Sequence, residues 1–138
     1  MIRLMSYNIC NAHGVNAAGE SQPQDVPAVT GAIREAGADI VGLNEVDRHT
    51  GRSGRGRDLA AELGAALDMH VAFGRSIDLD GGEYGNALLS RWPLEMVAVT
   101  RLTRGTADGE EDRTVLAAEV VTPEGRLIVL CTHLSWLH

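Results

Sequence analysis

The stretch that decides the fold is residues 39–47, D-I-V-G-L-N-E-V-D, an apolar run that ends in Asn44 and Glu45. A short apolar run of this kind is typical of a buried β-strand. Residues 5–9, M-S-Y-N-I, form a second such run and carry Asn8 near the end. Side chains at strand ends are held rigidly, and oxygen ligands suit hard divalent cations. The two runs therefore predict a sheet that presents a carboxylate to a cation.

β-type and helix-type patterns alternate on either side of these runs. Strands are predicted at residues 2–9, 39–46, 70–77, 84–91, 94–101, 112–122 and 126–133, helices at 25–36 and 58–67, and loops at 11–24 and 105–112. Asp25 is the expected N-cap of the first helix and Gly37 its stop. The order β-α-β-α followed by hairpins predicts an α/β (α+β) fold, in which helices cover one face of a sheet and the hairpins build a second sheet.

Composition and charge narrow the choice of partners. The 138 residues are enough for one domain or a piece of one. The formal net charge is −7, and the only basic cluster is formed by Arg52, Arg55 and Arg57. Proteins that grip duplex DNA normally carry a basic face, so the charge favours a small phosphorylated substrate without excluding nucleic acid.

The sequence gives no sign of membrane insertion or export. No apolar run reaches the ~18 residues of a membrane span, and Met1 leads directly into strand residues without an export signal. Cys10 and Cys131 lie inside apolar strand patterns, where free reduced thiols are favoured over a disulfide. These features together predict a cytoplasmic protein.

Three polar residues at predicted strand ends each allow two interpretations. Glu45 is either a surface acid that follows the strand or a ligand of Mg²⁺. Asn8 is either the start of a turn or an amide that holds the carboxylate or the metal. His133, in the T-H-L sequence at the end of the last strand, is either structural or a donor to a metal-bound phosphate.

The motifs taken together favour the functional interpretations. They are, in chain order, the strand ends N-I, N-E-V-D and T-H-L, with G-N-A-L-L-S-R at residues 85–91 and D-R-T-V at 112–115 between the last two. This combination resembles the endonuclease/exonuclease/phosphatase superfamily, which includes deoxyribonucleases, abasic-site endonucleases, sphingomyelinases and inositol-polyphosphate phosphatases. The resemblance covers residues 2–134 and is greatest to bacterial members of broad substrate range.

The resemblance implies roles for the three residues at the strand ends. Glu45 matches the family's glutamate that binds Mg²⁺ or Mn²⁺, and Asn8 matches the asparagine that supports metal and phosphate. His133 matches the histidine that contacts the scissile phosphate in many members. The implied activity is metal-dependent hydrolysis of phosphate esters, by a phosphodiesterase or a phosphatase acting on a phosphorylated small molecule, a lipid headgroup or a nucleic acid.

Three further residues are candidates for phosphate binding or support. Arg113 matches a phosphate-contacting arginine of some members, and a surface arginine on a β-edge is the equal alternative. Asn86 is expected to stabilise a turn before a core strand rather than to touch substrate. Glu83 could orient His133 through a carboxylate–imidazole hydrogen bond.

Residues near the predicted active end of the sheet are more simply explained as solvated loop residues than as pocket lining; these are His13, Asp47, Arg48 and His49. The glycine–arginine loop at residues 52–57 could hold an anionic group, and a soluble connector is the favoured alternative.

Two family motifs, G-D-x-N and S-D-H, are absent from the chain. In the family they supply the groups that work with the attacking water, so the chain is expected to be poorly active as given. Residues 1–138 are accordingly predicted to be the N-terminal part of one truncated domain, a two-sheet α/β sandwich with its helices outside and its C-terminal part missing. The alternatives are a non-catalytic half-domain that binds a phosphorylated ligand or a partner chain, and pairing with a second polypeptide that carries the missing motifs.

A half-sandwich is also expected to expose apolar residues and to self-associate through a sheet. The residues expected to face the missing sheet are Leu88, Leu89, Val97, Val99, Val115, Leu116, Val120, Val129 and Leu130.

Overall fold

A computed structural model describes residues 1–103 and 111–134. Two α-helices and nine strands make up this part of the chain: β1 (Leu4–Asn8), β2 (His13–Val15), β3 (Ser21–Gln24), α1 (Val26–Ala36), β4 (Ile40–Arg48), α2 (Leu59–Leu67), β5 (His70–Leu79), β6 (Gly82–Ser90), β7 (Leu94–Thr103), β8 (Arg113–Thr122) and β9 (Gly125–Thr132). The predicted helices and long strands are confirmed. The predicted loop at 11–24 instead holds a 3₁₀ turn and the short β2–β3 pair, and most of the predicted loop at 105–112 lies outside the described residues.

The strands form two main sheets. The first has the order β1-β4-β6-β5, with β1 parallel to β4 and the other neighbours antiparallel. The second is the antiparallel sheet β7-β8-β9. Because β1 and β4 run in parallel, their carboxyl ends lie at the same edge of the first sheet, which is where Asn8 and Glu45 are found.

Both helices begin at an aspartate cap. Asp25 accepts a hydrogen bond from the Ala28 N–H at 2.9 Å, and Asp58 accepts one from the Ala61 N–H at 3.0 Å. Each carboxylate satisfies a backbone donor that the first helical turn leaves without a partner. Helix α1 ends at Gly37, whose φ of 61° is a conformation that glycine adopts without strain.

The first sheet is covered on both faces. On one face α1 and α2 bury a large cluster that includes Ile33, Leu43 and Leu63. On the other face β8 and β9 pack against β5 and β6 through Leu88, Leu116 and neighbouring residues. The chain therefore contains a sandwich of two sheets with its helices outside, as expected, and the sheet count matches a partial domain.

The expected exposure of the apolar strand residues is wrong for four of the nine. Leu88, Leu89, Leu116 and Val120 are fully buried. Leu88 and Leu116 pack in the core between the first sheet and the β7-β8-β9 sheet of this chain, and Leu89 packs in the core between the first sheet and the helices. Val97, Val99 and Leu130 are exposed, at 48%, 44% and 65%. The exposed apolar surface thus lies on β7 and β9, with Leu4 of β1, rather than across a whole sheet face.

In the described part of the chain no helix is long and apolar enough to span a membrane, as the hydropathy indicated.

Candidate active site

Three residues predicted at strand ends lie together in the structure. The Asn8 Nδ2 donates a hydrogen bond to the Glu45 Oε1 at 2.8 Å. The His133 Nε2 lies 3.9 Å from the same oxygen. Asn8 ends β1, Glu45 lies within β4 and His133 follows β9, so both sheets contribute to the group. The side chains of Glu45 and His133 are 27% and 31% exposed, which leaves both open to a ligand.

A β-bulge turns Glu45 toward this group. The pairing of β4 with β6 is regular up to Leu43 and resumes at Val46, so two residues of β4 stand opposite Asn86. Glu45 has a φ of 58°, in the left-handed region that non-glycine residues rarely adopt. Such a conformation costs about 1–3 kcal/mol and persists where the surroundings hold it. The bulge re-aims the carboxylate to the site, which a regular strand would not do.

Asn8 uses both ends of its amide. While its Nδ2 bonds to Glu45, its Oδ1 accepts from the Cys10 N–H at 3.0 Å. The turn that follows β1 therefore fixes the amide, and the amide fixes the carboxylate. Asn8 acts here as a positioning residue of Glu45.

A buried amide network lies behind the site. The Asn44 Nδ2 donates to the Asn86 Oδ1 at 2.8 Å and to the Thr132 carbonyl at 3.1 Å. The Asn86 Nδ2 donates to the Thr114 carbonyl at 3.4 Å. These bonds join β4 and β6 to the second sheet immediately before His133. Asn86 is 2% exposed and is held within this network, so its side chain does not reach the surface of the site.

Glu83 lies away from His133. The Arg48 Nε donates to its Oε2 at 2.6 Å, and the guanidinium of Arg48 stacks over the Phe73 ring at 4.2 Å. The hydrogen bond between Glu83 and His133 suggested by the sequence is replaced by this ion pair, because Glu83 stands opposite Arg48 in the β4–β6 register.

Arg113 begins β8 and is largely buried. Its Nη1 lies 3.5 Å from Glu111, and its side chain is 11% exposed. Its Nε is buried and has no hydrogen-bond partner in the described part of the chain. A buried donor without a partner costs about 1–3 kcal/mol, which a bound anion would offset.

Asp47 is fully buried, and the expectation that it is a solvated loop residue is wrong. Its carboxylate accepts from Arg52 at both oxygens at 2.8 Å, from Thr50 at 2.7 Å and from Ser53 at 2.6 Å. Burial by itself would raise the pKa of Asp47, but the hydrogen bonds from Arg52, Ser53 and Thr50 hold this pKa below its ordinary value. The network ties the loop after β4 to the strand.

The glycine–arginine loop is used by the fold. Arg52 also donates to the Asn11 Oδ1 at 3.0 Å and lies over the Tyr84 ring at 5.5 Å. Arg57 is paired with Glu62, at 2.6 Å, and donates to the Gln24 Oε1 at 2.7 Å. These two arginines connect the loop to β3, β6 and α2.

Tyr84 lies near the site, and the sequence pattern did not single it out. Burial and the neighbouring carboxylates Glu45 and Glu111 raise the pKa of its phenol, with Arg52 and Arg113 acting in the opposite direction. The phenol is therefore protonated at neutral pH and sits within electrostatic range of Glu45. The surrounding sequence, G-G-E-Y-G-N, does not indicate a functional role for Tyr84, because tyrosine is common in β-strands.

His13 and His49, which were also expected near this end of the sheet, are not part of the group formed by Asn8, Glu45 and His133. The His13 Nδ1 is bonded to the Gln22 carbonyl at 2.7 Å, and His49 is exposed in the loop after β4. Among the described residues no set of three or more His, Cys, Asp or Glu side chains is close enough to hold a metal ion. Within residues 1–103 and 111–134, the group therefore consists of the Glu45 carboxylate, an oriented amide and an imidazole.

Both cysteines are free, as predicted, but their settings differ. Burial raises the pKa of the Cys131 thiol to about 11, and its S–H donates to the Leu43 carbonyl at 3.6 Å. Cys10 is exposed.

We expect iodoacetamide at pH 8 to label Cys10 and to label Cys131 at least about 100-fold more slowly, because the thiolate is the reactive form. Peptide mass spectrometry over time measures both rates, and equal labelling of the two would contradict the buried position of Cys131.

This chain is similar to a known protein family over most of its length. The family model described as "Endonuclease/Exonuclease/phosphatase family" matches residues 5–135. The chain belongs to the endonuclease/exonuclease/phosphatase family. The resemblance drawn from the motifs is thereby confirmed. Members of this family are generally dependent on a divalent metal and include phosphatases and nucleases.

Relatives of this family member are much longer than it is. "Uncharacterized protein YbhP" of Escherichia coli strain K12 is 33% identical over 118 residues, which are 80% of this chain and 46% of the relative. A structure of an endonuclease/exonuclease/phosphatase from Beutenbergia cavernae is 31% identical with a TM-score of 0.78, and the match covers 97% of this chain and 38% of that one. The chain therefore spans less than half the length of these relatives.

More distant structures share the fold. The Bacteroides thetaiotaomicron mannosyl-6-phosphatase Bt3783 is 20% identical with a TM-score of 0.69, and the match covers all of this chain and 53% of that one. The human Nocturnin catalytic domain with bound sulfate is 24% identical with a TM-score of 0.66, over 97% of this chain and 49% of that one.

Proposed function

We propose that this chain forms part of a Mg²⁺- or Mn²⁺-dependent phosphodiesterase or phosphatase, with Glu45 as its metal ligand. The observation that carries the proposal is the meeting of Asn8, Glu45 and His133 at one carboxylate oxygen. Family membership supports a phosphoester hydrolase in general. The positive φ of Glu45 in its β-bulge costs stability. A strained backbone of this kind supports a role for Glu45 beyond folding.

The residues present fit a hard divalent cation. Magnesium in proteins is commonly held by one or two carboxylates, with waters and substrate phosphate completing the shell. Glu45 supplies one partly exposed carboxylate, oriented from behind by Asn8. When bound, the ion would polarise a phosphoryl oxygen and help to ionise a water molecule.

The chain's own residues have separate tasks on this proposal. Asn8 keeps the carboxylate of Glu45 in place. His133 donates from its Nε2 to a non-bridging phosphate oxygen and stabilises the charge that develops there. Arg113 offers a second donor through its buried Nε, which has no hydrogen-bond partner among the described residues.

The charge of the chain favours a small phosphorylated substrate over duplex nucleic acid, since the net charge is −7 and two arginines of the only basic cluster are paired within the fold. A mannosyl-6-phosphatase and a sulfate-bound catalytic domain among the structural neighbours are in keeping with an oxyanion ligand. The second candidate is a phosphate-binding module without catalysis, which is favoured because the described residues form no group of three or more potential metal ligands.

The test uses a fusion protein, in which this chain is joined to the part of the Beutenbergia cavernae protein that it does not match. We expect the fusion protein to hydrolyse p-nitrophenyl phosphate or bis-p-nitrophenyl phosphate with Mn²⁺ and to lose this activity with chelator. The chain alone should show no turnover above background, because the water has no evident general base in it. An inactive fusion protein, with the complete relative active as control, would contradict the hydrolase proposal and leave phosphate binding.

A further inference from the structure

Arg52 carries hydrogen-bond donors that the fold does not use. Its Nε and Nη2 donate to the two carboxylate oxygens of Asp47 at 2.8 Å, and its Nη2 also donates to the Asn11 Oδ1 at 3.0 Å. Its Nη1 makes no hydrogen bond to a described residue, and the Arg52 side chain is 42% exposed. A guanidinium held by a bidentate pair is already ordered, so its remaining donors are preorganised for an anion.

Tyr84 places a second donor beside this guanidinium. The Arg52 Cζ lies 5.5 Å from the centre of the Tyr84 ring. Tyr84 stands opposite Asp47 in the β4–β6 register, so the residue that holds Arg52 is also the cross-strand neighbour of Tyr84. The Tyr84 hydroxyl makes no hydrogen bond to a described residue. Unused donors of two side chains therefore lie next to each other.

These donors belong to the surroundings of Glu45. Asn8 donates to Glu45, and three residues later Asn11 accepts from Arg52, so one turn of the chain ties both groups. Burial, and after it the Glu45 carboxylate, raises the pKa of the Tyr84 phenol, which stays protonated at neutral pH. The phenol is therefore a hydrogen-bond donor close to the predicted metal ligand.

The charges around the donors suit a phosphate once Glu45 holds a cation. A divalent ion reverses the sign of the charge at that carboxylate. Glu111, the other carboxylate near Tyr84, lies 3.5 Å from the Arg113 Nη1 and is paired with it. The ligand then meets the free N–H groups of Arg52 and a neutral O–H group, both of which favour an oxyanion.

The number of free oxygens separates two classes of phosphate ester. A phosphomonoester has three non-bridging oxygens and a phosphodiester has two. We propose that the Arg52 Nη1 and the Tyr84 hydroxyl bind the third non-bridging oxygen, so that the site takes phosphomonoesters ahead of diesters. This inference rests on the proposed function, in which the cation at Glu45 and the His133 Nε2 take the other two oxygens. A diester brings an uncharged, substituted oxygen to the two donors, which is a poorer acceptor.

A comparison of two substrates tests this selectivity. In the fusion protein Tyr84→Phe should lower the ratio of kcat/KM for p-nitrophenyl phosphate to that for bis-p-nitrophenyl phosphate by about 10–100-fold, because one hydrogen bond to a charged oxygen is lost. Tyr7→Phe is the matched control, since Tyr7 packs in the core on the helix side of the first sheet, and should keep the ratio within about threefold. An unchanged ratio in an active Tyr84→Phe variant would contradict the selectivity and leave the proposed hydrolase intact.

A binding measurement separates the two donors from catalysis. Inorganic phosphate added with Mg²⁺ at pH 8 should shift the ¹⁵N NMR signal of the Arg52 Nε–H group in the fusion protein. Tyr84→Phe should weaken phosphate binding by about 10-fold, and Tyr7→Phe should not. No shift of the Arg52 signal on addition of phosphate would contradict the assignment. A shift in an inactive fusion protein would contradict the proposed hydrolase and leave the two donors as a phosphate-binding pair.

Discussion

Glu45→Gln is expected to lower Mn²⁺-dependent hydrolysis by the fusion protein by about 10²–10⁴-fold. Glutamine keeps the size of the side chain and can still accept the hydrogen bond of Asn8, so the loss comes from the missing negative charge. Removing the metal ligand forfeits several kcal/mol of transition-state stabilisation, and each ~1.4 kcal/mol is tenfold in rate. Initial rates at saturating Mn²⁺ give the measurement.

The matched control for this variant is Glu95→Gln. Glu95 is an exposed carboxylate on β7 that pairs with Arg126 at 2.8 Å, far from the site in the fold. Its replacement removes the same charge from the protein and should leave the rate within about threefold. Equal rates for Glu45→Gln and Glu95→Gln would remove Glu45 from the site.

Asp47→Asn is expected to lower the free energy of unfolding by about 3 kcal/mol at pH 7. The substitution leaves the guanidinium of Arg52 facing an amide and breaks a partly buried, bidentate ion pair. Urea denaturation of the wild-type chain and the variant measures the difference. Asp78→Asn is the control, because the Asp78 side chain is 76% exposed and its ion pair with Arg75 should contribute under about 1 kcal/mol. Equal decreases in the free energy of unfolding for Asp47→Asn and Asp78→Asn would contradict a stabilising role of the Asp47 network.

The same variant carries a pH signature. The pKa of Asp47 is lower in the folded protein than its ordinary value of 3.8. A depressed pKa adds stability above the unfolded value, and this contribution is lost as the pH falls through the folded value. The stability gap between wild type and Asp47→Asn should therefore shrink below about pH 4. A gap that stays constant down to pH 2 would show that Asp47 is not held ionised by Arg52.

The strand ends could be predicted from the sequence, and so could their meeting. Apolar runs followed by Asn8, Glu45 and His133 indicate the elements, although β4 continues past Glu45 to Arg48. Parallel β1 and β4 place Asn8 and Glu45 at one edge. What the pattern could not give is the bulge at Glu45. β4 is buried on both faces and has no alternating pattern for a bulge to interrupt, so the bulge is seen only once β6 is paired.

The supporting residues were harder to predict, and for most of them the reason is that their partners are distant in sequence. Asp47 was expected in solvent, but Thr50, Arg52 and Ser53 follow it closely and cap its carboxylate. That local spacing was a usable signal. Glu83 and Tyr84 gave none, since their neighbours Arg48 and Glu45 are set by the pairing of β4 with β6. Likewise the burial of Leu88 and Leu116 depended on recognising that the hairpins already form the facing sheet.

Calorimetric titration of Mn²⁺ into the fusion protein tests the assignment of Glu45 as metal ligand most directly. The account predicts a Mn²⁺ site that Glu45→Gln abolishes or weakens at least about 10-fold. Asp78→Asn, which removes an exposed carboxylate elsewhere on the same sheet, should leave the affinity unchanged. Unchanged Mn²⁺ affinity in Glu45→Gln would contradict the account.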